Sequence, residues 1–131
     1  MAKVLVVDDD TVLTRLYKSF FEHEGLEVEI AGDGEEGFEK AKTFNPDLIL
    51  SDIMMPRMDG LAFLGKLKED KSLKKIPVIV MTNLDDEENV EKARKLGAIK
   101  HLKKGGQEPK AMAIFIKKLL SEKGVESGES E

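Results

Sequence analysis

The feature that most constrains the fold is an alternation of five short apolar runs with five helical patterns along 131 residues. The apolar runs cover residues 3–7, 28–31, 47–51, 76–81 and 98–102. The first run is β-branched and nearly continuous, which is typical of a strand buried on both faces of a parallel sheet. Alternation with helix-length crossovers predicts an α/β fold, a doubly wound domain on a five-stranded parallel sheet.

The helical patterns begin and end at residues suited to those positions. Leu13, Leu16, Tyr17 and Phe20 follow the i, i+3, i+4, i+7 spacing of an amphipathic helix and are predicted to share its buried face. Four aspartates fit the N-cap role: Asp10, Asp33, Asp59 and Asp85. Helix ends or starts are marked by Gly25, Pro46, Gly97 and Pro109. We predict one domain over residues 1–122 and a disordered polar tail over residues 123–131.

Composition excludes several classes of function. The net charge of −5 argues against a nucleic-acid partner, because proteins that bind nucleic acid usually have a basic face. No apolar run is long enough to cross a membrane, and the N-terminus resembles neither a signal nor a transit peptide. There are no cysteines, so disulfides and thiolate metal sites are excluded. These observations predict a cytoplasmic protein.

Polar side chains stand at the carboxyl ends of four of the predicted strands. They are Asp8, Asp9 and Asp10 after the first, Asp52 after the third, Thr82 after the fourth and Lys104 after the fifth. In this class of fold, ligands bind beyond the carboxyl ends of the strands. Carboxylates that converge repel one another unless a cation lies between them, and an all-oxygen donor set favours Mg²⁺.

Such a cluster suits phosphoryl transfer. A carboxylate can be the nucleophile, and a lysine can neutralise a phosphoryl oxygen. Each residue also has an ordinary explanation: Asp10 and Asp59 as helix caps, Thr82 as a strand threonine, and Lys104 as a solvated lysine. The coincidence at four strand ends is what indicates a site.

These residues form motifs of a known family. The chain resembles the receiver domain of bacterial two-component response regulators, most closely the single-domain kind typified by the chemotaxis regulator. The matching segments are VVDDD, DIMMPRMDG, MT and GAIKHLKK, which together span residues 3 to about 120. The resemblance implies a flavodoxin-like (βα)5 fold with strand order 2-1-3-4-5.

The resemblance also implies roles at the site. Asp52 would accept a phosphoryl group from a histidine kinase or a phosphotransfer protein. Asp9 and Asp52 would bind Mg²⁺ together with the backbone carbonyl of Met54, and Asp8 would contribute through water. Lys104 matches the motif lysine of the family.

Two further residues correspond to the switch of the family. Thr82 would bind the phosphoryl group, and His101 occupies the position of the aromatic switch residue. The spacing of His101 and Lys104 predicts that their side chains point to opposite faces. Phosphorylation would change how the last helix, the fifth strand and the helix after Asp85 bind a downstream protein that the sequence does not name.

The chain departs from the family at two places. Gly105 and Gly106 follow the motif lysine where the family usually has a proline, which predicts a trans bond and a looser loop. Met54 and Leu84 occupy the positions that orient hydrolytic water, and neither side chain can activate water. We therefore expect a long-lived aspartyl phosphate.

Two other functions are open at this stage. Asp8-Asp9-Asp10-Thr11-Val12 also resembles the start of haloacid-dehalogenase-like phosphatases, with Asp8 as nucleophile and Asp10 as general acid. That alternative leaves DIMMPRMDG unexplained. The second is an adaptor that uses the receiver fold without phosphorylation.

Overall fold

The computed structural model describes residues 1–55, 59–82, 87–122 and 124. Strands and helices alternate along the chain. The strands are β1 (Lys3–Val7), β2 (Glu27–Ala31), β3 (Leu48–Asp52), β4 (Val78–Thr82) and β5 (Lys100–Lys103). The helices are α1 (Thr11–His23), α2 (Gly34–Phe44), α3 (Gly60–Glu69), α4 (Glu87–Lys95) and α5 (Pro109–Glu122).

All five strands pair in parallel in the order β2-β1-β3-β4-β5, which confirms the predicted fold. The register pairs Val7 with Ser51, Asp52 with Met81, and Thr82 with Lys103. Four carboxyl ends therefore lie side by side at one edge of the sheet, those of β1, β3, β4 and β5. The polar residues are predicted at this edge.

The sheet is covered on both faces, as the continuous apolar strands predict. Val4 and Val6 of β1 belong to a core that includes residues of α1 and α5. The intervening Leu5 and Val7 belong to a second core that includes Phe63 of α3 and residues of α2. Because side chains alternate along a strand, Asp8 continues the row of Val4 and Val6 toward α1.

Three of the four predicted N-caps are confirmed. Asp10 accepts a hydrogen bond from the Leu13 backbone N–H, Asp33 accepts one from that of Glu36, and Asp59 accepts one from that of Ala62. The fourth, Asp85, lies outside the described residues.

Two strands begin two residues later than predicted, and the other strand bounds differ from the prediction by at most one residue. β4 begins at Val78 because the Ile76 N–H closes a turn onto the Leu73 carbonyl and Pro77 has no N–H. β5 begins at Lys100 because the Ala98 N–H donates back to the Ala93 carbonyl and belongs to the end of α4.

The buried face of α1 also differs from the prediction. Tyr17 is buried and Leu13 packs partly against the core, but Leu16 is 42% exposed and Phe20 is 38% exposed. Thr14 and Phe21 take their places on the buried face. The part of the chain that the structure describes contains no helix long and apolar enough to span a membrane. Of the predicted disordered tail, residues 123 and 125–131 lie outside the described residues.

Candidate functional site

A lysine with a largely covered side chain joins two buried carboxylates at the carboxyl end of the sheet. The Lys104 Nζ lies 2.9 Å from Asp8 Oδ1 and 3.0 Å from Asp52 Oδ2. The side chains of Lys104, Asp8 and Asp52 are 9%, 0% and 5% exposed. Asp8 follows β1 and Asp52 ends β3, so Lys104 reaches across the end of β4 to contact both of them. Its own backbone N–H is fixed by a 2.7 Å hydrogen bond to the Thr82 carbonyl.

Burial and charge act in opposite directions on these groups. Burial raises the pKa of the Asp8 carboxyl, while hydrogen bonds from the Asp10 N–H and from Lys104 counteract part of that rise. Burial is the largest single influence on the pKa of Lys104 and would lower it, but the hydrogen bonds to Asp8 and Asp52 together with the charges of these carboxylates outweigh burial, and the pKa is raised. The ammonium therefore stays charged between the two carboxyl groups.

A third carboxylate completes an acidic group that can hold a metal ion. One oxygen from each of Asp8, Asp9 and Asp52 lies within 4.8 Å of the other two, and Asp9 is exposed to solvent. Asp8 Oδ2 is buried without a hydrogen-bond partner among the described residues. The donors are oxygens only, which fits Mg²⁺. The Met54 N–H donates to Asp52 Oδ1 at 3.3 Å, which places its backbone beside the group.

The start of α3 packs directly against the backbone of Asp52. A Cβ atom at Gly60 would lie 2.1 Å from the Asp52 carbonyl oxygen and 2.6 Å from the Ile53 Cα. The Gly60 N–H also donates to the Ile53 carbonyl at 2.6 Å. Sequence reasoning treated Gly60 only as the first residue of a helix, although the close approach makes it part of the site. Pro56, in the same loop, lies outside the described residues.

Thr82 and His101 lie on the side of the site toward α4. Thr82 ends β4 and is 5% exposed. His101 pairs with Val80 in the sheet, is exposed, and lines a groove of about 140 Å³ between α4 and β5. Val90, Arg94 and Ala98 line the same groove. His101 and Lys104 therefore have different surroundings. Lys104 lies one residue beyond the end of β5, so the prediction of opposite faces, which assumes one strand, stays a prediction.

The turn after Lys104 is built around glycine. The Lys104–Gly105 peptide bond is trans, as predicted, and Gly105 has a φ of +77°. Proline, whose ring holds φ near −65°, could not adopt this backbone. The turn closes through a 3.0 Å hydrogen bond from the Gly106 N–H to the Lys103 carbonyl. The loosening expected from the glycines does not extend to the Lys104 ammonium, which contacts both carboxylates.

An exposed apolar row runs along α1 beside the acidic group. Val12, Leu16 and Phe20 lie four residues apart and are 77%, 42% and 38% exposed. The row begins three residues after Asp9, and residues at this spacing share one face of a helix. It gives the rim of the site a surface that a protein partner can contact.

Comparison with known proteins places this geometry in a family. Residues 4–116 match the family described as the response regulator receiver domain. The chain is 33% identical over 129 residues to the alkaline phosphatase synthesis transcriptional regulatory protein PhoP of Bacillus subtilis, covering 98% of this chain and 52% of that protein. It is 34% identical over 118 residues to the transcriptional regulatory protein SrrA of Staphylococcus aureus, covering 90% of this chain and 47% of that protein. This chain thus spans about half the length of these curated relatives.

Solved structures agree with the sequence comparisons. A CheY-like response regulator receiver domain protein from Methanospirillum hungatei superposes with a TM-score of 0.86 at 31% identity, covering 95% of this chain and 97% of that one. The Vibrio cholerae chemotaxis protein CheY4 superposes with a TM-score of 0.84 at 30% identity, covering 92% and 99%.

Proposed function

Because the chain belongs to the response regulator receiver family, we propose that it is a phosphoacceptor switch of a two-component system, with Asp52 as the phosphorylated residue. The observation that carries the proposal is the contact of Lys104 with both Asp8 and Asp52 beside the exposed Asp9. This arrangement brings together a carboxylate that can act as nucleophile, a positive charge and oxygen donors that can hold a metal ion.

The chemistry follows from these positions. An Asp52 carboxylate oxygen attacks the phosphorus of a phosphohistidine, the P–N bond breaks, and the histidine nitrogen leaves. Lys104 already contacts Asp52 Oδ2 and moves a short distance to neutralise a phosphoryl oxygen. Asp8, Asp9, Asp52 and the Met54 carbonyl would hold Mg²⁺, which supplies charge neutralisation of the incoming phosphoryl group.

The switch acts through the neighbouring strands. Phosphorylation adds roughly 1.5 to 2 negative charges beside Thr82, whose hydroxyl would bind the phosphoryl group. The side chain of His101 can then turn from the groove toward the space near β4. The face formed by α4, β5 and α5 changes shape, and its affinity for a downstream protein changes with it.

The phosphodonor in this proposal is a histidine kinase or a phosphotransfer protein. The exposed row of Val12, Leu16 and Phe20 beside the acidic group supports a donor that docks by protein–protein contact. The chain then acts in the cytoplasm as a regulatory domain whose only chemistry concerns its own phosphoryl group.

We also expect the phosphorylated form to be long-lived. Met54 is 66% exposed at one of the two positions that orient hydrolytic water, and its thioether cannot activate water. Leu84, at the other position, lies outside the described residues. Pulse-chase of phosphorylated protein should give a lifetime of minutes or longer, and decay within seconds would contradict this expectation.

The proposed function is tested by phosphorylation with a small donor. Wild type, Asp52→Asn and Asp8→Asn are incubated with Mg²⁺ and acetyl phosphate, and the labile adduct is mapped by mass spectrometry. Asp59→Asn is the matched control, because Asp59 is an exposed helix cap in the same loop and asparagine caps equally well. We expect one phosphoryl group on wild type and on the control, and none on Asp52→Asn.

Other outcomes would contradict the proposal. Turnover of a phosphorylated substrate that depends on Asp8 and not on Asp52 would indicate a phosphatase. Absence of any adduct on wild type, with either acetyl phosphate or a phosphorylated histidine kinase as donor, would indicate an adaptor.

A further inference from the structure

Tyr17 is a buried polar residue that the proposed mechanism does not use. Its side chain is 1% exposed, and its ring stacks on Phe21 with the ring centroids 5.6 Å apart. Its hydroxyl has no hydrogen-bond partner among the described residues. Burying a hydroxyl without a hydrogen-bond partner costs free energy, so the presence of tyrosine at position 17 calls for an explanation.

The second buried polar atom without a partner lies in the acidic group. In the part of the chain that the structure describes, Tyr17 Oη and Asp8 Oδ2 are the two buried side-chain polar atoms that lack a hydrogen bond. The two are chemically complementary, because a phenol hydroxyl donates and a carboxylate oxygen accepts. The other oxygen of Asp8 is already engaged by the Asp10 N–H and by Lys104.

The fold places the two groups on the same face of the sheet. Asp8 continues the row of Val4 and Val6, and both valines share a core with Tyr17. Long side chains of a helix lean toward its N-terminus, and α1 begins three residues after Asp8. The pKa of Tyr17 is raised, first by burial and second by the negative charge of Asp8, so the hydroxyl feels the electrostatic field of the site.

We propose that Tyr17 is a positioning residue of the acidic site, whose hydroxyl is bridged to Asp8 Oδ2 by one water molecule. The interaction holds the Asp8 carboxylate in one orientation while Lys104 moves between Asp52 and the phosphoryl group. Without it, Asp8 would keep only the partners of its other oxygen, and one of those is the lysine that moves. The proposal rests on the proposed function for its metal-binding consequence, but the bridge between Tyr17 and Asp8 does not require metal.

A metal-free double-mutant cycle tests the contact. Thermal midpoints are measured for wild type, Tyr17→Phe, Asp8→Ala and the double variant, with chelator present. We expect Tyr17→Phe to lower the midpoint in wild type and to leave it unchanged or raise it in the Asp8→Ala background, where no acceptor remains. Equal shifts in both backgrounds would overturn the proposal, and so would a rise in the midpoint of Tyr17→Phe alone, which would show an unpaired hydroxyl.

Calorimetric titration with Mg²⁺ tests the consequence for the site. We expect Tyr17→Phe to weaken Mg²⁺ binding about tenfold, because residues that orient metal ligands carry effects of that size. Phe21→Leu is the control, since it loosens the same aromatic stack and keeps the hydroxyl. It should lower the thermal midpoint and leave the Mg²⁺ affinity near that of wild type. Equal weakening in both variants would indicate a packing effect and would overturn the proposal.

Tyr17 provides its own spectroscopic signal. It is the only tyrosine, and the chain has no tryptophan, so the intrinsic fluorescence at tyrosine wavelengths arises from this residue alone. Addition of Mg²⁺ should change that fluorescence in wild type and not in Asp8→Ala. If wild type binds Mg²⁺ by calorimetry without a fluorescence change, Tyr17 is not coupled to Asp8. If wild type neither binds Mg²⁺ nor forms an adduct, the proposed function fails, while the metal-free cycle still decides the contact.

Discussion

The charged site and the groove between α4 and β5 lie on adjacent strands but are held in very different ways. At the site, Asp8, Asp52 and Lys104 are almost completely buried and joined by two ion pairs. At the groove, three of the four residues of β5 are exposed, and Ala93 is the one buried residue of α4. One region is fixed by electrostatics in the interior, and the other is held by little apolar contact.

This difference fits the division of work in a switch. Segments with few buried contacts open at low free-energy cost, whereas core strands open only with the whole fold. Under the proposed function, a phosphoryl group at the site would therefore shift the neighbouring segment without unfolding the sheet. The comparison predicts that substitutions at the site and at the groove will differ sharply in their effect on stability.

The largest effect is expected for Gly60→Ala. The new Cβ would lie 2.1 Å from the Asp52 carbonyl oxygen, and the nearest atoms it would meet are all backbone, which limits relaxation. We expect the free energy of unfolding to fall by about 3 kcal/mol, which is at the upper end of the range for overpacked cores. We also expect phosphorylation to be lost. Urea unfolding measures the change in stability. Gly65→Ala is the control, because a Cβ there meets nothing within 4 Å, and it should stabilise α3 by about 1 kcal/mol. Equal effects of the two substitutions would contradict the close approach.

Lys104→Met should have the next largest effect. Removing the ammonium leaves two buried carboxyl groups without their shared cation. We expect a loss of about 2 kcal/mol without Mg²⁺, less than is usual for a broken buried pair because Asp8 can take up a proton. Added Mg²⁺ should recover part of the loss by binding the folded state. Lys103→Met, at an exposed neighbour, should change stability by less than about 0.5 kcal/mol. A similar loss in both variants would show that the ion pairs contribute nothing.

A smaller effect is expected in the pH dependence of stability. The pKa of Asp8 is raised above 3.8 in the folded protein, chiefly by burial. The folded state then binds more protons than the unfolded state between these two pKa values. The stabilising contribution is complete below pH 3.8 and is lost as the pH rises through the folded pKa. Urea unfolding without Mg²⁺ gives the free energy of unfolding of wild type and of Asp8→Asn, and wild type should lose stability relative to the variant as the pH rises. A gain of wild type relative to the variant between pH 3.8 and the folded pKa of Asp8 would contradict this prediction.

Much of the fold and most of the candidate site followed from simple patterns. Parallel strands place all their carboxyl ends at one edge, so Asp8, Asp52 and Lys104 could be expected to meet before any distance was known. The strand order, however, came from the resemblance to a family, because alternation of strands and helices is compatible with several orders. The N-caps were predictable because a cap depends on residues three positions apart.

The errors arose where contacts are non-local. Leu16 and Phe20 fit the buried periodicity of α1 as well as Leu13 and Tyr17 do, and only the packing of the sheet decides which row is covered. The close approach at Gly60 and the unpaired Tyr17 hydroxyl depend on residues distant in sequence. Neither could be found from local spacing, although an Asp-Gly pair directly after a site loop is a signal worth testing.

The smallest effect is expected for His101→Phe, which tests the other side of the comparison. His101 is exposed on β5 and lines the groove without a role at the charged site, so stability should change by less than about 0.5 kcal/mol. Phosphorylation by acetyl phosphate should match that of wild type, because the side chain does not contact Asp52 or Lys104. Hydrogen exchange should still be faster in α4 than in β1, since the substitution leaves the sparse packing around Ala93 unchanged. A large loss of stability, or slower exchange in α4 than in β1, would show that the groove is as firmly held as the site.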